Sequence, residues 1–562
     1  MQKKWHIRDI DPQLQATLSD ALNVHPIVAQ LLINREIVDV KEAEDFLSAD
    51  LAGLHDPFLL KDMNEAVERI QKARSHEERV LVFGDYDVDG ITSSALLNNV
   101  LRQMGIDVVH HIPHRVQHGY GLKGEVCTIA AAKGARLLIA VDCGITAVDE
   151  VDALHKAGID VIIIDHHEPG EVLPRAAAIV NPKQKDCPYP FKHLAAVGLV
   201  VKLTQALLGE ISEEALDLAA VGTVADVVPL HGENRILVKS GLAGLGNTKN
   251  KGLLALLETA KIKGKKITPF HVGFILGPRI NAAGRMDTAH KSLDLFLSED
   301  EKQAYDLAKA LERHNTERQK MQSGVVEEAI DLVEQQINFK DQKVIVLSKE
   351  GWHKGVLGIV AAKIMEKYYR PTVVISIDED GIGTASARSI DGFHLHNALQ
   401  SCASYLEAFG GHEGAAGLTI REENIDAFRR LINDIAHQML EAKRLIPTIF
   451  IDCEIPLSSI NLELAAVMES LEPFGEGNPA PVFCSRNLAV KGFPQILGKD
   501  TIKFWVSDEE YTISAVGFGL AKYEGILRTG AKVDLAYEIT IDEWNKAPTP
   551  QLKLKDIRLS KT

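Results

Sequence analysis

Three carboxylates stand at every second position of GDYDVDG, residues 84–90: Asp85, Asp87 and Asp89, with Gly90 closing the run. Acids this close repel one another and are costly to keep ionised, so a bound cation is the simplest reason to gather them. The pattern opens like a calcium-binding EF-hand loop. That loop needs a glutamate at its twelfth position to grip calcium with both oxygens, and Leu96 stands there instead. An EF-hand loop also joins two helices, whereas here the apolar run ERVLVF precedes the acids and the helically spaced ITSSALLNNVLRQMG follows them. The acids are therefore predicted on a strand-to-helix turn. A solvated acidic turn is the alternative.

Three more apolar runs end in the same way. LLIAVDCGIT ends on Asp142, VIIIDHHE ends on Asp165, His166 and His167, and GTVADVVPL carries Asp226, read with the others as a strand end. A lone Asp after a strand is usually a cap and a lone His usually a satisfied core or surface residue. Four such places in one region argue for a shared centre. Carboxylates with an imidazole make a borderline-hard donor set suited to Mn²⁺ or Mg²⁺. Two such ions, about 3.5–4 Å apart, activate water and stabilise the leaving oxygen of a phosphoryl displacement. Phosphoester hydrolysis is the chemistry this set invites, with two ions expected.

The elements needed to position these residues can be read from the periodicity. From about 79 to 229, VLVF, VVHHI, RLLIAV, VIIID and AAAIV alternate with helical stretches, which predicts an α/β domain built on a parallel sheet, with ligands outside the carboxyl ends of its strands. Residues 298–337 hold no proline, one glycine and a polar middle, and predict one long connecting helix. A second α/β segment follows from about 341. From about 448 the runs are short, β-rich and separated by turns, and an OB-type barrel is the simplest closure. Phe504, Trp505, Lys553, Lys555 and Arg558 are its candidate contacts to a single strand, against the alternative that the aromatics fill the barrel core. The expected domains are 1–50 helical, 51–297 catalytic, 298–340 connecting helix, 341–446 second α/β domain and 447–562 barrel.

Composition sets bounds on function. With 562 residues, 46% hydrophobic and 25% charged, the chain can build several cores, and no apolar stretch approaches the ~18 residues of a membrane span. MQKKWHIRDIDPQ has no apolar segment behind its basic residues, so a cytoplasmic protein is expected. Cys127, Cys143, Cys187, Cys402, Cys453 and Cys484 form no CxxC pair and are expected to be free thiols. A net charge of −16 argues against a nucleic-acid binder only weakly, because metal-binding acids inflate it and local basic runs such as NTKNKG and KIKGKK remain.

In these motifs the chain resembles the DHH phosphoesterases, named for the triplet at Asp165, His166 and His167, and within them the bacterial exonucleases that act on single strands. The resemblance rests on FGDYDVDGITS, VDCGIT, DHHE, GTVADVVPL, GPRINAAGRM, WHKGVLGIVA, ASARSI, FGGHEGAAG and LEPFGEGNPAPVF, which follow in order along nearly the whole chain. It implies metal ligands at Asp87, Asp89, Asp142, His166 and Asp226, with His167 beside them as a catalytic group and with Asp85 and Asp165 in support. It further implies that Gly411 and His412 lie near the scissile phosphate, that Arg115, Ser386 and Arg388 hold a 5′ phosphate, and that Arg279, Asn281 and Arg285 line the substrate groove. An interdomain or capping role is the alternative for the last three. Trp352 and His353 either stack on substrate or pack their turn. Cys143 and His114 stand where the family pattern has asparagine, and neither touches the implied ligand set.

The function this predicts is a metal-dependent 5′ to 3′ exonuclease that degrades single-stranded DNA to 5′-mononucleotides in recombination and repair. It would act as a monomer, with a single-strand-binding protein and a helicase as partners and no membrane association. Small substrates such as short RNA, cyclic dinucleotides or pyrophosphate are the second enzymatic reading, and the barrel argues against them. A non-catalytic scaffold is the third, and the intact set of ligands argues against it.

Overall fold

Val80–Gly84 (β1) is buried along its whole length, as expected of a strand covered by helices on both faces. The computed structural model describes residues 3–114, 121–286, 288–542 and 547–560. With Val108–His111 (β2), Leu137–Val141 (β3), Asp160–Ile164 (β4) and Ala178–Val180 (β5), β1 forms a wholly parallel sheet in the order β2-β1-β3-β4-β5. The order reverses between β1 and β3. A crevice opens outside the carboxyl ends at such a switch point, which is where doubly wound sheets bind ligands.

Val88–Gln103 (α1) and Ala196–Leu208 (α2) pack on this sheet and on each other, and Glu213–Ala225 (α3) packs on both helices. Asp226 is the C-cap of α3, so the expectation that it ends a strand is corrected. The reason is physical: α3 is buried by its neighbours around most of its circumference, so its Ala, Gly and Val residues show no amphipathic period.

Gly277–Met286 (α4) leads to the expected long helix, Glu301–Gln336 (α5), whose 36 residues span about 54 Å. Its buried stripe changes character along its length. Ala304, Ala308 and Leu311 are apolar, Asn315, Arg318 and Gln322 are polar, and Val325, Ala329 and Val333 are apolar again. The first third packs on helices of the first α/β domain. The last third shares a core with Ile345, Leu347, Trp352, Val356 and Val360 of the second. The polar third lies where the helix passes from one to the other.

The second domain contains Ile345–Glu350 (β6), Leu357–Tyr368 (α6), Thr372–Ile377 (β7), Ile382–Arg388 (β8), Leu406–Gly411 (β9) and Ala415–Arg421 (β10). Its sheet has the order β9-β10-β8-β7-β6, parallel only between β6 and β7.

These elements belong to one compact unit, residues 55–226 and 240–447; a second unit gathers residues 1–54, 227–239 and 448–562. In the second unit, Phe483–Leu497 (β11), Thr501–Ser507 (β12), Thr512–Gly517 (β13), Lys532–Asp542 (β14) and Thr549–Leu559 (β15) close a five-stranded barrel in the order β11-β12-β13-β15-β14, with β14 pairing back to β11. The amino-terminal segment is not purely helical as expected. Lys4–Ile7 is a strand paired in parallel with Thr448–Ile451, and Val28, Leu31, Leu32 and Phe46 share the barrel's core. A four-residue strand whose partner lies more than 400 residues away leaves no local hairpin signal.

Candidate active site

The DVDG turn is built by close backbone approach. A Cβ on Gly90 would stand 2.6–2.7 Å from the backbone of Asp85, so only glycine lets the first turn of α1 fold onto the end of β1. Asp87 is the N-cap of α1 and accepts from the Gly90 N–H at 3.1 Å. Asp89, in the first turn, is buried and accepts from the N–H groups of Ala196 and Val197 at 2.7 and 2.9 Å, which ties α1 to the start of α2. Asp142 follows β3 with φ 61°, a left-handed conformation that aspartate tolerates better than most residues.

These side chains converge. Donor atoms of Asp85, Asp87 and Asp142 lie within 4.8 Å of one another, as do those of Asp89, His166 and Asp226, and those of Asp142, His166 and His167. Asp85 is thus buried inside the donor set. His166 Nε2 lies 3.3 Å from Asp142, 3.6 Å from Asp226 and 3.9 Å from Asp89. Those are ion-pair distances, yet burial, and then the neighbouring His167, lower the His166 pKa to about 3, so the ring is neutral and no ion pair forms. Its buried Nε2 has no hydrogen-bond partner among the described residues.

The carboxylates report the same frustration. Burial, and then Asp87, raise Asp89 to about 7; burial, and then Asp89 and Asp87, raise Asp226 to about 9; burial and four neighbouring acids hold Asp142 well above the usual range. A neutral imidazole with an unused lone pair facing several crowded acids is a fit for a divalent cation, which would relieve both the repulsion and the unpaired nitrogen.

Asp165 and His167 are arranged differently. Asp165 accepts from the backbone N–H groups of Ile145 and His167, at 3.0 and 3.1 Å, and from His167 Nδ1 at 2.7 Å. Burial works against its charge, but these bonds prevail and its pKa falls below the ordinary value. Burial likewise opposes protonation of His167, and the bond to Asp165 overrides it, so the His167 pKa rises. Nδ1 is therefore the donor to Asp165. Cys143 is fully buried, and burial followed by the charges of Asp165, Asp85 and Asp87 pushes its thiol up, so it stands beside the centre as a neutral group.

In the second domain, Ser386 faces Gly417 and Arg388 faces Ala415 across β8 and β10, and Gly411 faces Ala416 across β10 and β9. The Ser386–Arg388 and Gly411–His412 motifs therefore meet across one intervening strand. The Arg388 guanidinium donates to the Ala387 carbonyl at 2.8 Å and to Ser386 Oγ at 3.3 Å. A Cβ on Gly358, in the first turn of α6, would lie 3.0 Å from Arg388 and 3.1 Å from Ser386, so the helix amino terminus abuts both side chains. His412 is exposed, and its N–H donates to the Ala415 carbonyl at 2.8 Å. Arg115 lies outside the described residues.

On α4, Arg279 pairs with Glu312 of α5 and donates to the Ile275 carbonyl at 2.7 Å. Arg285 donates to the Gly355 carbonyl at 2.9 Å and joins the two α/β domains. Asn281 Oδ1 is buried without a partner among the described residues. Trp352 is buried and donates to Glu328 at 2.8 Å, while His353 caps its own turn by accepting from the Gly355 N–H. In the barrel, Phe504 is core and Trp505 exposed; Lys553 and Lys555 pair with Glu538, and Arg558 stacks on Trp5 at 4.2 Å.

Sequence reasoning missed Arg318. Its guanidinium is buried, is held by Gln322 at 2.7 Å and by Asn315, has no carboxylate partner among the described residues, and feels the positive charge of Arg279. The available signal was a set of polar residues at the 3–4 spacing of an otherwise apolar stripe.

Residues 79–223 match the DHH family, N-terminal domain; 341–438 match the DHHA1 domain and 451–556 the RecJ OB domain. The chain is 41% identical to the single-stranded-DNA-specific exonuclease RecJ of Bacillus subtilis, over 99% of this chain and 71% of that protein. The crystal structure of Thermus thermophilus RecJ with Mn²⁺ is similar at TM-score 0.85 and 30% identity, over 100% of this chain and 80% of that one. Its Mg²⁺ counterpart is similar at TM-score 0.79 and 29% identity, covering 100% and 79%. Sharing sequence and architecture with these proteins along its whole length, the chain belongs to the RecJ family of DHH proteins.

Proposed function

We propose that the chain is a metal-dependent exonuclease that hydrolyses single-stranded DNA from the 5′ end to 5′-mononucleotides, in recombination and repair. The observation that carries the reading is the convergence of Asp87, Asp89, Asp142, Asp226 and the unpartnered His166 Nε2 at the switch point of a parallel sheet. The relatives support it, being named single-stranded-DNA-specific exonucleases and crystallised with Mn²⁺ and Mg²⁺.

Asp87, Asp89, Asp142, His166 and Asp226 would hold Mn²⁺ or Mg²⁺, with Asp85 completing the acidic side. Two ions bound there supply water activation and neutralisation of charge on the phosphate. His167, fixed through Nδ1 by Asp165, would act on a phosphate oxygen as a proton or hydrogen-bond donor. Ser386, Arg388 and the amino terminus of α6 form an anion site suited to a terminal phosphate, and Arg115 joins them by resemblance. Arg318, close to Arg279 and held by no carboxylate among the described residues, and Arg279, whose charge is shared with Glu312, suit contacts to a backbone phosphate. Gly411 and His412 stand across β10 from the phosphate site, which suits a role at the scissile group. The barrel supports a single-strand substrate over a dinucleotide-sized one. Resemblance alone supports a monomer in the cytoplasm working with a single-strand-binding protein and a helicase.

The deciding assay follows a 3′-labelled single strand bearing a 5′ phosphate, with Mn²⁺, beside a duplex and the Asp89→Ala protein. A ladder shortening from the 5′ end, absent from both controls, is expected. Cleavage of a dinucleotide with the long strand intact would favour the small-substrate reading instead.

A further inference from the structure

Between the lysine-rich turn at 261–266 and α4 lies PFHVGFIL, a short helix at Pro269–His271 continuing into a π-helical turn at Val272–Leu276. Phe270 and Phe274 project from it. They are 60% and 73% exposed, and their rings stack on each other with centroids 5.1 Å apart and planes inclined by 26°. Exposed apolar residues scattered singly are ordinary, but two aligned aromatic rings side by side form a surface. Gly273 between them adds nothing to cover it, since a Cβ there would meet no atom within 4 Å.

The position of this turn is not incidental. At its end, a Cβ on Gly277 would lie 3.6 Å from Ala225 and 3.9 Å from Val88, the residues beside Asp226 and between Asp87 and Asp89. The turn packs on α3, and the residue that follows it lies against the side chains of Ala225 and Val88, the chain neighbours of three candidate metal ligands. Its Ile275 carbonyl is taken by Arg279, which fixes it to the arginine assigned above to the DNA backbone. π-turns recur at functional sites because they sacrifice regular hydrogen bonding to place side chains.

Charge selects the partner. Lys261, Lys263, Lys265 and Lys266 precede the pair within ten residues; Lys263 is paired with Glu258, and Lys265 is close enough to His271 to disfavour its protonated form, after burial. Aromatic faces beside lysines suit a ligand with flat rings on a polyanionic backbone.

We propose that Phe270 and Phe274 form a base-stacking platform that grips a nucleobase of the substrate strand next to the metal centre, while Arg279 holds the adjoining backbone. The proposal rests on the single-strand reading of the site above.

The test compares the wild-type chain, Phe270→Ala/Phe274→Ala and Phe270→Trp/Phe274→Trp. Substrates are a long single strand, a set of the same strand with one abasic position moved stepwise from the 5′ end, and a 5′-phosphorylated dinucleotide. With long strand the alanine pair should raise KM about tenfold, the scale of one lost base stack, with little change in kcat. Dinucleotide turnover should fall less than that of the long strand, and the tryptophan pair should restore KM. One abasic position should cost the wild type a similar factor and the alanine pair nothing further. A wild-type KM in the alanine pair, or equal losses for wild type and variant at every abasic position, would overturn the platform. If the wild type binds the long strand without cutting it, and binding still weakens in the alanine pair, the platform stands and the nuclease reading falls.

Discussion

His166 and His167 are neighbours with ring centroids 4.5 Å apart, yet their environments drive their protonation in opposite directions. His166 faces the acids with a bare nitrogen, and His167 leans on Asp165. The two are separable by substitution. His166→Ala should abolish most of the rise in Tm that Mn²⁺ gives the wild type, because a donor to the ion is gone. Asp165→Asn should largely keep that rise but slow hydrolysis about 10–100-fold, because the ring of His167 loses the bond that orients it. Equal loss of the Mn²⁺ response in both proteins would contradict this division.

A second residue-scale effect lies away from the centre. Asp217 on α3 is raised to about 6 by burial, opposed by a hydrogen bond from Thr248 and reinforced by Glu214 and Glu213. Its folded pKa exceeds the unfolded one, so the stability it contributes is full below about pH 4 and lost as pH rises through about 6. Asp217→Asn keeps an acceptor for Thr248 and removes the buried charge. It should stabilise the protein by about 1–3 kcal/mol at pH 8 and by nearly nothing at pH 4, read from urea midpoints at the two pH values.

At the scale of elements, the long helix does more than connect. Its stripe is apolar where it grips each domain and polar only at Asn315, Arg318 and Gln322. Arg318→Met would suit the burial while removing the charge, so folding should survive and the KM for long single strands should rise several-fold, with the salt dependence of binding reduced. Unchanged KM and salt slope would mean that the polar stretch of the stripe is only structural. This helix also shows what periodicity can and cannot convey. Its length and lack of breakers were legible, as were the strand ends that present Asp85, Asp142 and His166, because continuous apolar runs and turn residues are local signals. Asp226 was legible as a candidate ligand but not as a helix cap, because a helix buried on most sides shows no period. Arg318 was missed because burial of a charged residue is a tertiary fact. The roles proposed for Ser386, Arg388 and Gly411 came from resemblance; their meeting across β10 depends on strand register, which spacing alone does not give.

At the scale of the whole molecule, the barrel is not an appendage that can be cut away. Its core includes Val28, Leu31, Leu32 and Phe46, and Arg235 stacks on Phe46 at 3.9 Å while donating to the carbonyls of Phe46, Ser470 and Leu471. Deleting 448–562 alone should strand those apolar residues and give a protein that binds a hydrophobic dye and aggregates. Deleting 1–54 together with 448–562 should give the more soluble product, although more is removed. Greater solubility of the single deletion would show that the amino-terminal helices stand alone.

The pairing of Lys4–Ile7 with Thr448–Ile451 also sets an order of events at the ribosome. The earlier strand waits for a partner more than 400 positions later, about 20–90 s at ordinary rates of synthesis. Residues 55–226 and 240–447 can be complete while the two strands are still apart, so a nascent chain can carry a finished metal centre before the barrel has formed. Until then Val28, Leu31, Leu32 and Phe46 lack the core they pack into, and slower translation should lengthen their exposure.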